Sequence, residues 1–395
     1  MKYIINENKF DFLPDQLFCI GCRDNNPKRS FLFISKLLGK HISTSPELVK
    51  ATGYLLSSLK YGFDNKTFID CIKGKGSPDY NQRTEDKDIL VIGFCETATA
   101  LGMSVASSIR GSYYQATTRE KLVGINQLLS FEESHSHAST HCMFNNERSL
   151  DDFNKVILVD DEITTGNSLL NLITEIIQKS KIREFTVMTI LDWRTDEYRK
   201  KFDCFAEQYN VKVDVYSIIC GTITHFDDEN RANNEIPVIC ESIAVHDLNS
   251  FKRVKVDTMI STSVSYLHHT GMLGVRHSDI EGLEASAGEA SDKLGNILGD
   301  ARKLLVLGHG ENIYIPSRIA SYLEKKGYDV SFRTTSRTPI FCDGEIIKDA
   351  VKFSSHGDVY YFYNRREEEM FDAVILIADY PFQHKLCDNL MIFNA

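Results

Sequence analysis

Two adjacent carboxylates, Asp160 and Asp161, follow four apolar residues, Val156–Val159, and precede the turn Thr164-Thr165-Gly166-Asn167-Ser168. The apolar run predicts a buried strand, and the acids stand where that strand ends. A short Thr/Gly turn then enters a helix. In an open parallel sheet the carboxyl ends of the strands are where ligands bind. Backbone N–H groups at a helix N-terminus suit a phosphate. Gly166 permits close backbone approach, and the hydroxyls of Thr164, Thr165 and Ser168 add donors. Carboxylates accept hydrogen bonds from a diol. A phosphate with a diol beside it describes a ribose 5-phosphate; the plainer alternative is a response-regulator-like or sugar-phosphate strand end with incidental acids.

A second segment, Gly93-Phe94-Cys95-Glu96-Thr97-Ala98, also ends an apolar run and opens a helix. Taken alone it reads as an ordinary strand–helix connection. Thr117-Thr118-Arg119-Glu120 follows the next apolar run, where Arg119 either pairs with an anionic ligand or makes an exposed salt bridge. The stretch from Ser130 to His141 contains Glu133, His135, His137 and His141. Nothing in its spacing sets up a four-ligand metal site. We favour a flexible lid that excludes water from a reacting centre over a metal site. A merely disordered polar loop stays open as a reading of this stretch.

These residues need a scaffold, and its periodicity is legible. Ile89–Ile92, Tyr113–Ala116, Val156–Val159, Phe185–Leu191 and Val211–Ile219 read as strands. Thr97–Ile109 and Ser168–Gln178 read as helices between them. Apolar runs alternating with helices predict an α/β fold with a buried parallel sheet. Signal weakens between Thr222 and Ala301, where the small, polar stretch 281–291 reads as a linker or mobile loop. Order resumes with Leu304–Leu307, Pro316–Lys326 and Val374–Ile377. The expected division is 1–245, a linker over 246–300, and a second α/β domain over 301–395.

Residues Val156–Ser168 resemble the PRPP (phosphoribosyl diphosphate) motif of type I phosphoribosyltransferases. The resemblance implies a Rossmann-like parallel sheet, PRPP and a nitrogenous small molecule as substrates, and Mg2+ as cofactor. It assigns the ribose hydroxyls to Asp160 and Asp161, and the 5-phosphate to Thr164, Thr165, Gly166, Asn167 and Ser168. Glu96, Thr97, Ala98 and Arg119 would take the diphosphate, and Ser130–His141 would be the family's hood. Catalytic candidates are Asp160, Asp161, Glu133 and His135. Magnesium would bind through PRPP oxygens, with Asp160 and Asp161 acting mainly through water.

The likeness runs further. Arg23-Asp24-Asn25-Asn26-Pro27-Lys28-Arg29 and Phe31–His41 resemble the N-terminal signature of an orotate-phosphoribosyltransferase-like branch. That branch is fused to a C-terminal TRSP domain and is found in tellurite-resistance and stress operons. Lys28, Arg29, Lys40 and His41 bracket a strand and either face an anionic substrate or form a solvated basic edge. Gly308–Pro316 and Thr334–Ile340 resemble the TRSP signatures, the naming tetrad standing here as Ser336-Arg337-Thr338-Pro339.

The two halves also resemble each other. Gly93-Phe94-Cys95-Glu96 parallels Gly308-His309-Gly310-Glu311, and Gln115–Arg119 parallels Arg333–Arg337. Phe153–Asp161 parallels Phe371–Asp379, with Ala378 in place of the first acid. Gly93 and Asp160 are 67 residues apart, Gly308 and Ala378 70. We read the C-terminal domain as a diverged phosphoribosyltransferase-like fold, with His309, Glu311 and Arg337 as its candidate ligand residues. Convergent βαβ patterning is the alternative.

Composition narrows the class. A net charge of −10 in 395 residues works against a nucleic-acid surface. No window is long and apolar enough to span a bilayer. With no export signal at the N-terminus, the ten cysteines are expected as reduced thiols in a cytoplasm. Type I relatives are commonly dimers, so a homodimer is expected.

Overall fold

The computed structural model describes residues 2–26, 29–132, 140–145, 147–225 and 231–395. Two compact units form, and neither is continuous in the chain. The first joins Met1–Leu13, Lys50–Phe226 and Gly271–Glu281; the second joins Pro14–Val49, Asp227–Thr270 and Gly282–Ala395.

The first unit is built on a seven-stranded sheet. Its order is Lys2–Asn8, Lys212–His225, Glu184–Asp192, Lys155–Ile163, Ile89–Gly93, Tyr113–Ala116 and Val275–Arg276. The five inner strands are parallel, and the two edge strands are antiparallel to their neighbours. Apolar side chains explain the burial: all of Ile89–Gly93 and the run Val156–Val159 are buried. Helix Asn167–Lys179 covers the sheet with Leu169, Leu170, Leu172, Ile173 and Ile176, the spacing of one helical face.

Numbered by chain order, the parallel strands lie 2-1-3-4-5. The order reverses between Ile89–Gly93 and Lys155–Ile163, so this sheet's ligand crevice falls at their carboxyl ends.

The second unit has a five-stranded, all-parallel sheet. Its order is Val245–Asp247, Leu390–Asn394, Ala373–Ala378, Lys303–Gly308 and Asp329–Thr334. From Lys303 onward the strands lie 2-1-3-4, repeating the first unit's order. Registers repeat as well. Gly93 pairs with Ala116 and Gly308 with Thr334; Val156 pairs with Leu90 and Val374 with Leu305. Each unit inserts a hairpin between its second and third strands, Gln127–Glu132 with Thr140–Phe144 and Ala350–Ser355 with Asp358–Tyr363. Thr118 bridges Cys142 in one hairpin, and Ser336 bridges Tyr361 in the other.

Two expectations change. The stretch 281–291 is neither a linker nor a loop: it lies within helix His277–Ile297. Leu283, Ala287, Ala290 and Leu294 are buried at helical spacing, and Ala, Leu and Glu favour helix despite the polar composition. The division also differs from one at residues 245 and 300. Strand Phe31–Ser35 belongs to the second unit, because Leu32 and Ile34 bury themselves with Ile340, Ile347 and Tyr363. No helix among the described residues is long and apolar enough to cross a membrane.

Candidate active site

Strand Lys155–Ile163 outruns its neighbour. Pairing with Ile89–Gly93 stops at Val159, whereas pairing with Glu184–Asp192 continues through Asp160 and Glu162. Asp160 and Asp161 therefore remain in extended backbone at the crevice, half-buried. Asp161 N–H donates to Asp160 Oδ1 at 2.9 Å. Removal from water, and then the neighbouring Asp161 carboxyl, hold Asp160 well above the usual carboxylate range.

The turn that follows is shaped by Gly166. Its φ of 73° lies in the left-handed region, and it caps helix Asn167–Lys179. A Cβ there would stand 2.5 Å from the Phe202 ring, so no larger residue fits. Asn167 N–H donates to Thr165 Oγ1 at 3.3 Å, and Lys201 Nζ donates to Asn167 Oδ1 at 2.6 Å. Thr164, Thr165, Asn167 and Ser168 are half-buried around the turn.

Across the crevice, Gly93–Thr97 leads into helix Ala98–Ser107. Phe94 N–H donates to Val159 O at 3.0 Å, which ties this loop to the acid-bearing strand. A Cβ on Gly93 would meet Ala98 O and the Tyr114 hydroxyl at 2.7 Å, so the turn is tight. Glu96 is buried and Thr97 half-buried; Ala98 opens the helix. Arg119 is half-buried just beyond Thr118, whose N–H donates to Cys142 O at 2.9 Å. The structure thus brings Glu96, Thr97, Ala98, Asp160, Asp161 and the Thr164–Ser168 turn to one sheet edge. Glu133, His135 and His137 lie outside the described residues. His141 stands on strand Thr140–Phe144, buried beside Thr117.

One group that the sequence reading missed buttresses the phosphate-type turn. Asp192 ends the next strand, and Arg194 grips it through Nε and Nη2 at 3.0 and 2.9 Å. Arg199 adds a contact at 2.8 Å. Burial alone would raise the Asp192 carboxyl, but the bonds and charge of Arg194, with Arg199, carry it below its ordinary value. The Arg194 guanidinium lies 4.3 Å from the centroid of Phe202, the ring that packs under Gly166. An acid and a base flanking Trp193 at a predicted strand end were the available signal.

The second unit's corresponding edge is different. Ala378, Asp379, Tyr380 and Phe382 are buried. His309 lies in the core with both ring nitrogens engaged: Nδ1 is 2.7 Å from Thr335 Oγ1, and Nε2 is 2.6 Å from the Tyr380 hydroxyl. Arg337 donates to Glu311 at 3.0 Å, lies 2.9 Å from Asp358, and stands 4.8 Å from the Tyr360 ring centroid. His309 and Arg337 meet on the Tyr360 ring, whose centroid is 4.4 Å from that of the His309 imidazole.

Among the described residues, no group of three or more His, Cys, Asp or Glu side chains is placed to hold a metal. Two carboxylates at a phosphate-type turn instead suit a hard cation delivered with its own phosphate oxygens and waters.

A doubly wound unit with an acid pair and a Thr-Gly-Asn-Ser turn at its switch point defines a phosphoribosyltransferase fold. The family model for phosphoribosyl transferase matches residues 17–222, and the chain belongs to that family of PRPP-dependent enzymes. The model for the TRSP domain that lies C-terminal to it matches residues 269–392. Solved structures similar to this chain include adenine phosphoribosyltransferases from three organisms. That of Trypanosoma brucei is 15% identical, over 54% of this chain and 83% of that one, with a TM-score of 0.30. That of Leishmania donovani is 14% identical, over 54% and 84%, with a TM-score of 0.31. That of Rhodothermus marinus is 12% identical, over 52% and 94%, with a TM-score of 0.27. No curated protein matches the chain.

Proposed function

We propose that the first unit transfers ribosyl 5-phosphate from PRPP, with magnesium, to a nitrogenous small-molecule acceptor, releasing diphosphate. The observation that carries this reading is the acid pair Asp160-Asp161 beside the left-handed Gly166 turn at the switch point. Asp160 and Asp161 accept hydrogen bonds from the ribose hydroxyls. Backbone N–H groups and hydroxyls from Thr164 to Ser168 receive the 5-phosphate. The Glu96–Ala98 loop and Arg119 receive the diphosphate. Magnesium, when bound, neutralises charge on the diphosphate; Asp160 and Asp161 would hold it mainly through water.

The bond from C1 of the ribose to the diphosphate oxygen breaks, and the acceptor nitrogen forms the new bond to C1. The acceptor's proton is lost to solvent, and the bonding pair leaves with diphosphate. Side chains contribute placement and charge stabilisation rather than covalent chemistry. Glu133 and His135, on the segment between the hairpin strands, are the remaining catalytic candidates. The likeness of the two terminal signatures to the stress-operon branch supports an acceptor from specialised nucleotide or ribosyl metabolism in the cytoplasm.

Incubating the protein with magnesium, PRPP and a panel of nitrogenous bases tests this by diphosphate release. Asp160→Asn is expected to lower turnover by about 100-fold or more. Near-normal release from that variant overturns the assignment.

A further inference from the structure

A loop that receives an anion through its backbone must be held from behind, or its N–H groups will not converge. In the first unit that support is a single buried hydroxyl. Thr117 Oγ1 accepts from Cys95 N–H at 2.9 Å, while Thr117 N–H donates to Gly93 O at 2.9 Å. One threonine thus grips the loop at two points, two residues apart. The same oxygen lies 3.2 Å from His141 Nδ1, and that nitrogen lies 3.5 Å from Cys95 Sγ. The imidazole is wedged beside Phe131, with ring centroids 5.2 Å apart, and faces Phe94 at 6.4 Å. Thr117 and His141 are 0% and 2% exposed, so water does not substitute for either bond.

The second unit supplies an internal control. Thr335 N–H donates to Gly308 O at 3.3 Å, and Thr335 Oγ1 accepts from Gly310 N–H at 3.2 Å. An imidazole again meets that oxygen, His309 Nδ1 at 2.7 Å. The clamp is therefore a property of the shared fold, but the source of the imidazole differs. In the second unit His309 comes from the clamped loop itself and turns inward to Tyr380. In the first unit His141 comes from a hairpin strand, so the loop is fastened to a separate element.

We infer that Thr117 and His141 are positioning residues for the diphosphate leaving group. Thr117 fixes the loop's backbone, and His141 fixes the Thr117 hydroxyl. A hydroxyl has one proton and two acceptor sites. With one acceptor site filled by Cys95 N–H, the bond to His141 sets the rotor. Phe94, Cys95 and Ala98 N–H are committed within the unit, to Val159 O, Thr117 Oγ1 and Phe94 O. Neither residue touches the ribose or 5-phosphate side, which Asp160 to Ser168 supply.

This inference rests on the proposed PRPP site, and its test separates the two. Full-length protein is titrated calorimetrically, in magnesium, with diphosphate and separately with ribose 5-phosphate. Thr117→Val, which keeps shape and removes the hydroxyl, is expected to weaken diphosphate binding about tenfold, as for one lost buried hydrogen bond. Ribose 5-phosphate binding should stay within about twofold of wild type, and Thr117→Ser should restore diphosphate binding. His141→Phe should weaken diphosphate in the same direction, by about threefold. Unchanged diphosphate binding in Thr117→Val and His141→Phe, or equal loss of both ligands in folded variants, overturns the inference. Wild-type protein that binds neither ligand overturns the PRPP reading itself.

Discussion

The first and second units run the same strand order, the same register and the same inserted hairpin, yet they treat one sheet edge in opposite ways. In the first, Asp160 and Asp161 are held half-buried against their preference for water, and Asp160 is pushed toward its protonated form. In the second, Ala378 occupies the place of the first acid, and Tyr380 and Phe382 pack where the first unit has a phosphate-type turn. One edge accepts an energetic cost for the sake of an opening; the other fills the opening and becomes core. The fold provides a location, and only the residues at that location make it a site.

The contrast is breakable. Ala378→Asp asks whether the second edge has room for the acid that the first one carries. A buried charge without a dedicated partner costs about 3 kcal/mol or more, so the variant should show a large drop in urea-unfolding stability and no gain in PRPP binding. A neutral outcome would mean that the second edge is still an open ligand site. Gly166→Ala probes the first edge in the same spirit. A left-handed φ and the Phe202 ring at 2.5 Å predict a loss of about 1–3 kcal/mol in stability, with weaker binding of ribose 5-phosphate. Tyr380→Phe removes the hydroxyl that satisfies His309, at about 1–2 kcal/mol measured by thermal unfolding, while leaving turnover unchanged.

The smallest effect has the opposite sign. Because the folded state raises the Asp160 pKa, it holds that proton more tightly than the unfolded chain does. Stability from this group is present at low pH and is lost as pH rises through the raised value. Asp160→Asn should therefore raise the melting temperature at neutral pH while lowering turnover. The gain should vanish below pH 3.8, where the carboxyl is protonated folded or unfolded. A variant that melts lower at neutral pH would remove the claim that the first edge is strained.

Much of this was legible in the sequence. Continuous apolar runs such as Ile89–Ile92 and Val374–Ile377 can satisfy themselves only as buried strands, and the 13 residues from Val156 to Ser168 state their chemistry locally. The parallel between the halves was readable because strand ends and turns repeat at similar spacing. What escaped the reading depended on partners distant in the chain. Leu32 and Ile34 look like any strand until Ile340 and Tyr363 are placed against them. Helix His277–Ile297 hid because the buried positions in its middle, Ala287 and Ala290, are small and give little periodic contrast between Leu283 and Leu294. Asp192 and Arg194 become a buttress only through Phe202, and Thr117 a clamp only through the folded loop.

The interleaving of the two units bears on how the protein is made. Gln115 Nε2 donates to Met272 O at 2.8 Å and Gly271 O at 3.2 Å, and Ala116 N–H donates to Gly271 O at 2.8 Å. These bonds lie one and two residues before the Thr117 clamp. On the ribosome, the first sheet waits for residues 271–281 before its edge strand Val275–Arg276 can close over Tyr113–Ala116. The segment 14–49, synthesised early, waits still longer for partners beyond residue 330. Vectorial synthesis therefore leaves the transferase half unfinished until most of the chain has emerged. A gene split at residue 245 should give an N-terminal fragment with a buried amide short of partners, and not an autonomous enzyme.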